Sequence, residues 1–328
     1  MPVSHSIGRN LAMAAVRVTE AAALSASRFL GRGDEVAADI GARDAMHRAL
    51  SGLDINGAIR IGEDSSEHGE RLCAGEKAGT GNGPSVDVGL LPLEGPTIIA
   101  KGEPNGISVI AMAESGGILS VPKLYMEKIA VGGGMPKDLV SLEATPEENL
   151  VALAKTKRVE VADLVVCILD RPRHAELIGQ IRAAGARIML IADGDVSGVI
   201  ATTQPSSGVD IYMGIGGARE GVLAAAALAC AGGRMHGRLV LRSESDRALA
   251  ISSGIKDLTH IYDVNDMASG DVTFAATGVT PGAMLRGVVR VHGCPITHSM
   301  VMRSTTGTMR YIEAHHDFSR EAAPLPLA

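Results

Sequence analysis

The chain has 328 residues, enough for about two domains, with 46% apolar and 21% charged residues, the balance of a globular protein. Its net charge of −6 excludes a non-specific nucleic-acid binder, which needs a basic face, and makes any anionic ligand depend on local cations. No Trp, 4 Tyr and 3 Phe leave an aliphatic core, and 40 Gly imply many tight turns.

Met1 to Asn10 is polar and lacks an apolar h-region, so no signal peptide is expected. Ile7 to Leu30 reads as a long amphipathic helix, with Leu11, Ala15, Val18, Ala22 and Phe29 at helical spacing and Gly31-Arg32-Gly33 at its end. A second helix runs from Glu35 to Leu50, with Asp34 as its N-cap. Asp39, Ala42 and Met46 share one face of it, so a carboxylate points inward. Such an acid needs a partner: an Arg, a backbone donor or a metal ion. Ala58 to Ile61 is a strand. Asp64 to Arg71, with Glu67, His68 and Glu70, is a polar loop. Val86 to Thr97 reads as a buried strand that Pro92 and Gly95 stop, leaving Glu94 at its tip, either as a solvated turn charge or as a cation ligand. Strands follow at Thr97 to Ala100, Gly106 to Met112, Ile118 to Val121 and Tyr125 to Val131. Glycine-rich turns between them suggest a largely antiparallel first sheet.

A new unit begins near residue 145, where Thr145-Pro146-Glu147-Glu148 forms a capping box. The boundary is set at 160/161: a metal-binding α+β domain over 1–160 and an α/β substrate domain over 161–328. The second half alternates. Leu164 to Leu169 is a strand, Arg173 to Ala184 a helix, Arg187 to Ala192 a strand and Asp195 to Thr202 a helix. Val209 to Met213 is a strand, Gly214-Ile215-Gly216-Gly217 a loop and Glu220 to Ala231 a helix. Strands return at Phe274 to Ala276 and Val288 to Val291, and a hairpin spans Ser299 to Ile312. The four Cys fall in no zinc pattern, and Cys167 and Cys230 look like core residues. The longest apolar run, Val222 to Cys230, is too short to span a bilayer, so no membrane partner and a cytoplasmic location are expected.

Three strand-end loops carry polar density, where open α/β sheets bind ligands. Asp170-Arg171-Pro172-Arg173-His174 sets two guanidiniums and an imidazole at a helix start, either as a phosphate site or as a solvated helix end. Asp193-Gly194-Asp195 pairs two acids that suit a metal or sugar hydroxyls, unless Asp195 only caps the next helix. Gly214 to Gly221 is glycine-rich but lacks GxGxxG spacing and a P-loop Lys, so nucleotide binding has weak support. Asp39, Glu63, Glu94 and Glu220 are oxygen donors on a helix face or at element ends, suited to Mg²⁺ or Mn²⁺. With basic loops nearby they point to phosphoryl chemistry, in which a metal polarises phosphate and activates water.

Several segments together resemble the class II (GlpX-type) fructose-1,6-bisphosphatases, over about residues 9 to 316. They are Arg17-Val18-Thr19-Glu20, Gly31-Arg32-Gly33-Asp34, Ile61-Gly62-Glu63, Gly75-Glu76-Lys77, Tyr125-Met126-Glu127-Lys128, Arg171-Pro172-Arg173-His174, Asp193-Gly194-Asp195 and Gly214-Ile215-Gly216-Gly217. The resemblance implies the layered α/β/α/β/α sugar-phosphatase fold shared with inositol monophosphatases. It implies removal of the 1-phosphate of fructose 1,6-bisphosphate with Mn²⁺ or Mg²⁺, in gluconeogenesis or the Calvin cycle, by a homodimer or homotetramer. On the matching positions Asp39, Glu63, Glu94 and Glu220 would bind metal. Glu94, Gly95, Pro96, Tyr125, Arg171, Pro172, Arg173, Asp193, Gly194, Asp195 and Gly217 would bind the sugar phosphate.

The departures cluster. Where the family pattern resembles Asp-Pro-Ile-Asp/Glu-Gly-Thr, this chain has Leu91-Pro92-Leu93-Glu94-Gly95-Pro96. A metal-ligating Asp is replaced by Leu91. A Thr that contacts the scissile phosphate is replaced by Pro96, which has neither hydroxyl nor N–H. The family's catalytic Asp aligns with Glu67, Thr97 is the nearest replacement hydroxyl, and Arg219 stands where the family has Pro. The site becomes more positive by about two charges, which favours phosphate over metal. Two readings follow, a working sugar bisphosphatase and a sugar-phosphate-binding paralog with little turnover that serves as a regulatory subunit.

Overall fold

The computed structural model describes residues 10–64 and 71–320. The chain forms two compact units, residues 1–118 with 270–328, and residues 119–269. It starts in the first, crosses into the second and returns.

The first unit opens with α1 (Asn10–Ala26) and α2 (Glu35–Ser51), which pack on each other and on one sheet face. The α-helical part of the expected first helix ends at Ala26, its last turn tightening to a 3-10 turn over Ser27–Phe29, and its expected first residues, 7–9, lie outside the described residues. Asp34 caps α2 as expected, its carboxylate accepting from Ala37 N–H at 2.9 Å. β1 (Asn56–Ile61), β2 (Lys77–Ala78) and β3 (Ser85–Glu94) follow, then α3 (Pro96–Lys101) and β4 (Ile107–Glu114).

Two expectations fail here. Pro92 does not stop the strand: β3 runs on to Glu94, with a register shift against β4 between Leu91 and Glu94. A bulge has no ladder bond for proline to miss. Thr97 to Ala100 is helix, not strand. Left-handed Gly95 (φ 79°) turns the chain, Pro96 takes the first helical position and Gly102 closes the helix. Four apolar residues in a row cannot distinguish helix from strand by themselves. Glu94 is only 5% exposed, so it is not a solvated tip.

The second unit holds β5 (Tyr125–Val131), α4 (Pro146–Lys157), β6 (Val165–Leu169), α5 (Ala175–Ala183), β7 (Arg187–Ile191), α6 (Asp195–Ala201), β8 (Ile211–Gly217), α7 (Ala218–Ala231), β9 (Arg234–Val240), α8 (Glu244–Ser252), β10 (Ile261–Asp263) and α9 (Val264–Met267). Both halves of the Thr145 capping box form. The sheet order is β10-β9-β5-β8-β6-β7. β6 pairs parallel with β7 and β8, while β5 pairs antiparallel with β8 and β9. Ile129, Val131, Val166, Ile168, Ile211 and Met213 form one apolar face, under Leu150 and Leu153 of α4 and Ile181 of α5. α6 and α7 pack against each other and on β8. Residues 214–217 are the end of β8, not a loop. Ile118 to Val121 joins no strand of either sheet; the passage between units lies there.

The chain returns through β11 (Thr273–Gly278), β12 (Val289–Val291), β13 (Cys294–Arg303) and β14 (Thr308–His315). β11 pairs with β4 and β13, completing the order β12-β13-β11-β4-β3-β1-β2 with β14 on β13. Among the described strands only β1 and β3 pair in parallel, so this sheet is largely antiparallel as expected. The β11 pairing explains why the division is not at 160/161: strands far along the chain complete the first sheet, and β5 belongs to the second. Two mixed sheets with helices packed on them agree with the layered α/β sugar-phosphatase expectation. Cys167 and Cys230 are buried, and among the described residues no helix is long and apolar enough to cross a membrane.

Candidate functional site

In the second unit the parallel strands β6, β7 and β8 point their carboxyl ends at one place, with the start of β5 beside them. Arg171, Pro172 and Arg173 follow β6, Asp193 and Gly194 follow β7, Asp195 opens α6 and Gly217 ends β8. Tyr125 pairs with Gly217 across the strands. Two guanidiniums lie over its ring, Arg173 at 5.1 Å and Arg242 at 4.5 Å from the centroid. Arg173 is held by donating from Nε to Ile215 O at 2.9 Å. Arg171 lies 4.0 Å from Asp193. Cations stacked on an aromatic ring keep N–H groups at their edges for an anion.

Below this rim is a buried charge network. Lys128 is on β5, with its side chain fully covered. Its Nζ donates to Asp195 Oδ2 at 2.5 Å and to Gly217 O at 2.9 Å. Tyr212 Oη donates to the other Asp195 oxygen. Burial pushes the Glu220 carboxyl above its ordinary range, and the Lys128 ammonium pulls the other way. The glycines of β8 make this possible. A Cβ on Gly216 would lie 1.7 Å from Asp195 Oδ2, and one on Gly217 would lie 1.7 Å from Glu220 Oε2. They clear space for two carboxylates rather than wrap a nucleotide.

His174 does not join the anion site. Its Nδ1 donates to Leu169 O at 2.7 Å and its Nε2 accepts from Ile215 N–H at 2.8 Å, which is the neutral ring. Burial lowers its pKa, consistent with that tautomer. It fastens β6 to β8.

In the first unit Asp39 and Glu63 come together, but through Arg43. One guanidinium nitrogen, Nη2, donates to Asp39 Oδ2 at 2.9 Å and to Glu63 Oε2 at 3.1 Å. Glu94, Gly95, Pro96 and Thr97 form the β3-to-α3 corner. Glu220 is in the other unit. Glu67 lies outside the described residues.

The comparisons decide the ancestry. The profile of the bacterial, glpX-encoded fructose-1,6-bisphosphatases matches residues 9–316. Fructose-1,6-bisphosphatase 1 class 2 of Escherichia coli (strain K12) is 37% identical, covering 95% of this chain and 97% of its own. The D-fructose 1,6-bisphosphatase class 2/sedoheptulose 1,7-bisphosphatase of Synechococcus sp. (strain JA-3-3Ab) is 36% identical, covering 93% and 95%. The chain belongs to the class II fructose-1,6-bisphosphatase family. These are phosphoric monoester hydrolases.

Asp39, Glu63, Glu94 and Glu220 are the four acids expected to bind metal in a class II fructose-1,6-bisphosphatase of this sequence. The residues do not fit a divalent ion as they stand, because Asp39 and Glu63 are already joined by a guanidinium. Among the described residues, no three His, Cys, Asp or Glu side chains gather as a metal-binding group. Sequence reasoning missed four groups, Arg43, Lys128, Tyr212 and Arg242. Arg43 had a signal, the i,i+4 spacing from Asp39 on a helix. Lys128 lies inside the quoted Tyr125-Met126-Glu127-Lys128 run. Nothing local marks Tyr212 or Arg242.

Proposed function

We propose that this protein binds a sugar bisphosphate at the carboxyl ends of β6 to β8 and hydrolyses the 1-phosphate of fructose 1,6-bisphosphate to fructose 6-phosphate. The names of its relatives supply the substrate class. The observation that carries the reading on this chain is the pair of guanidiniums, Arg173 and Arg242, over the Tyr125 ring, with Arg171 on the same strand-end loop as Arg173. Guanidiniums match phosphate with paired donors. Asp193 stands beside Arg171 with a carboxylate suited to sugar hydroxyls. Asp195 holds Lys128 and Tyr212 through separate oxygens, so its role is to order the floor of the site. Sedoheptulose 1,7-bisphosphate, in the printed name of the Synechococcus relative, is the next substrate to try. A place in gluconeogenesis or the Calvin cycle, and a homodimer or homotetramer, belong to the same proposal.

A second reading has its own support. Leu91 and Pro96 replace a metal-ligating acid and a phosphate-contacting hydroxyl in the family pattern, and Arg43 spans Asp39 and Glu63. On that reading the protein binds sugar bisphosphate with little turnover and acts as a regulatory subunit.

Phosphate release from fructose 1,6-bisphosphate, measured while Mn²⁺ is titrated, separates the two. Turnover above background upholds the hydrolase. Background turnover that Leu91→Asp with Pro96→Thr restores sinks it and leaves the binder. In both readings fructose 1,6-bisphosphate raises the melting temperature and Arg242→Ala weakens that shift. A larger rise with ATP than with the sugar bisphosphate would defeat both.

A further inference from the structure

We propose that Arg43 is the resident cation of the first unit's acid pair. Its guanidinium bridges Asp39 and Glu63 and keeps a divalent ion out. The inference rests on the reading above only in treating these acids as counterparts of a metal-ligand set.

The geometry is specific. A single nitrogen lies within hydrogen-bond range of one oxygen from each carboxylate. A cation between two acids is the arrangement of a metal, with N–H bonds replacing shorter coordinate bonds. The group is sheltered: side-chain exposure is 9% for Arg43, 27% for Asp39 and 18% for Glu63. Each partner is placed by backbone. Asp39 and Arg43 are one turn apart on α2, so they meet without loop cost. Glu63 follows β1, where its N–H donates to Leu72 O at 2.8 Å and it bridges to Cys73.

Charge favours the same conclusion. Two carboxylates with one guanidinium carry a net single negative charge in place of two. An entering dication would lose about half of its net attraction and meet a like charge fixed by two hydrogen bonds. Guanidinium cannot escape by deprotonation, as an ammonium or imidazole could. The position at which the family places another ligating acid is Leu91, whose side chain has no donor atom. Arginine thus offsets one of the pair's two charges permanently and without regard to metal supply.

The test is Mn²⁺ binding, read from the electron paramagnetic resonance signal of free Mn²⁺. The wild type, Arg43→Met, Arg43→Lys and Asp39→Asn are each titrated. The wild type is expected to hold no more Mn²⁺ than Asp39→Asn. Arg43→Met should bind roughly 10- to 100-fold more tightly than the wild type, the scale that neighbours of a metal site command. Mn²⁺ should also raise the melting temperature of that variant and not of the wild type. Arg43→Lys, which keeps a cation, should behave like the wild type. A saturable wild-type Mn²⁺ site that Asp39→Asn abolishes and Arg43→Met leaves unchanged overturns the proposal. If Arg43→Met does not fold, the wild-type and Asp39→Asn titrations decide alone: a wild-type site lost in Asp39→Asn refutes the proposal, and equal background binding upholds it. Fructose 1,6-bisphosphate binding is measured separately in chelator. Its loss would defeat the proposed function and leave the cation inference standing, and Mn²⁺ binding by the wild type would do the reverse.

Discussion

Lys128→Met tests the buried network of the second unit. The substitution keeps the aliphatic length and removes the ammonium, so little cavity forms. The loss is electrostatic. Lys128 has no exposed side-chain surface, and Asp195 has 6%. Deleting one partner of such a pair costs about 3–5 kcal/mol, because the remaining charge stays buried. Tyr212 still donates to Asp195, so the lower end, about 3 kcal/mol, is expected. Lys128→Met with Asp195→Asn removes both charges, and its cost should fall to about 1 kcal/mol. The assay is equilibrium unfolding in urea, with slopes compared to exclude a change in the unfolded state. Tyrosine fluorescence is the right probe: the chain has no Trp, and Tyr125, Tyr212 and Tyr262 belong to the second unit, leaving only Tyr311 in the first. A coupling energy below about 0.5 kcal/mol in this cycle would refute the argument, since independent sites add within that margin.

Two further substitutions test other parts of the account. Gly216→Ala would put a Cβ 1.7 Å from Asp195 Oδ2 and should cost at least about 1–3 kcal/mol. Gly179→Ala in α5, where a Cβ meets nothing within 4 Å, should be neutral or stabilising by about 0.5–1 kcal/mol. Equal unfolding midpoints for the two would show that the β8 glycines are not there for clearance. Glu20 predicts a pH effect. Burial raises its pKa, against the opposing Thr297 hydrogen bond and the Arg17 charge. A group whose folded pKa is raised contributes full stability below its unfolded value, about pH 4.3, and loses that contribution as pH rises through the folded value. Glu20→Gln, whose oxygen can still accept from Thr297, should gain relative to the wild type as pH rises from about 4.3 through the raised folded value. A stability difference that stays flat or falls over that range would contradict the sign.

Much of this protein was legible in the linear chain. Asp34, Thr145 and Pro146 mark helix starts because capping is local chemistry between residues three apart. The strand-end loops with Arg171, Arg173, Asp193 and Asp195 were visible because βα alternation puts ligand groups at carboxyl ends of strands. The region from Val86 to Thr97 was legible in composition and misread in shape. A proline can sit within a strand at a bulge, and whether a bulge exists depends on β4 opposite.

What the sequence by itself determined is the family, most of the elements and the residue types offered to a phosphate. Tertiary structure alone decided which charges meet. Lys128 and Asp195 are 67 positions apart, and Arg43 and Glu63 are 20 apart. β11 completes a sheet begun by β1 to β4. Helical and strand periods register which face a residue takes, but not the partner that arrives from another element. For a buried ion, that partner determines whether an acid pair can accept a metal or already holds an arginine.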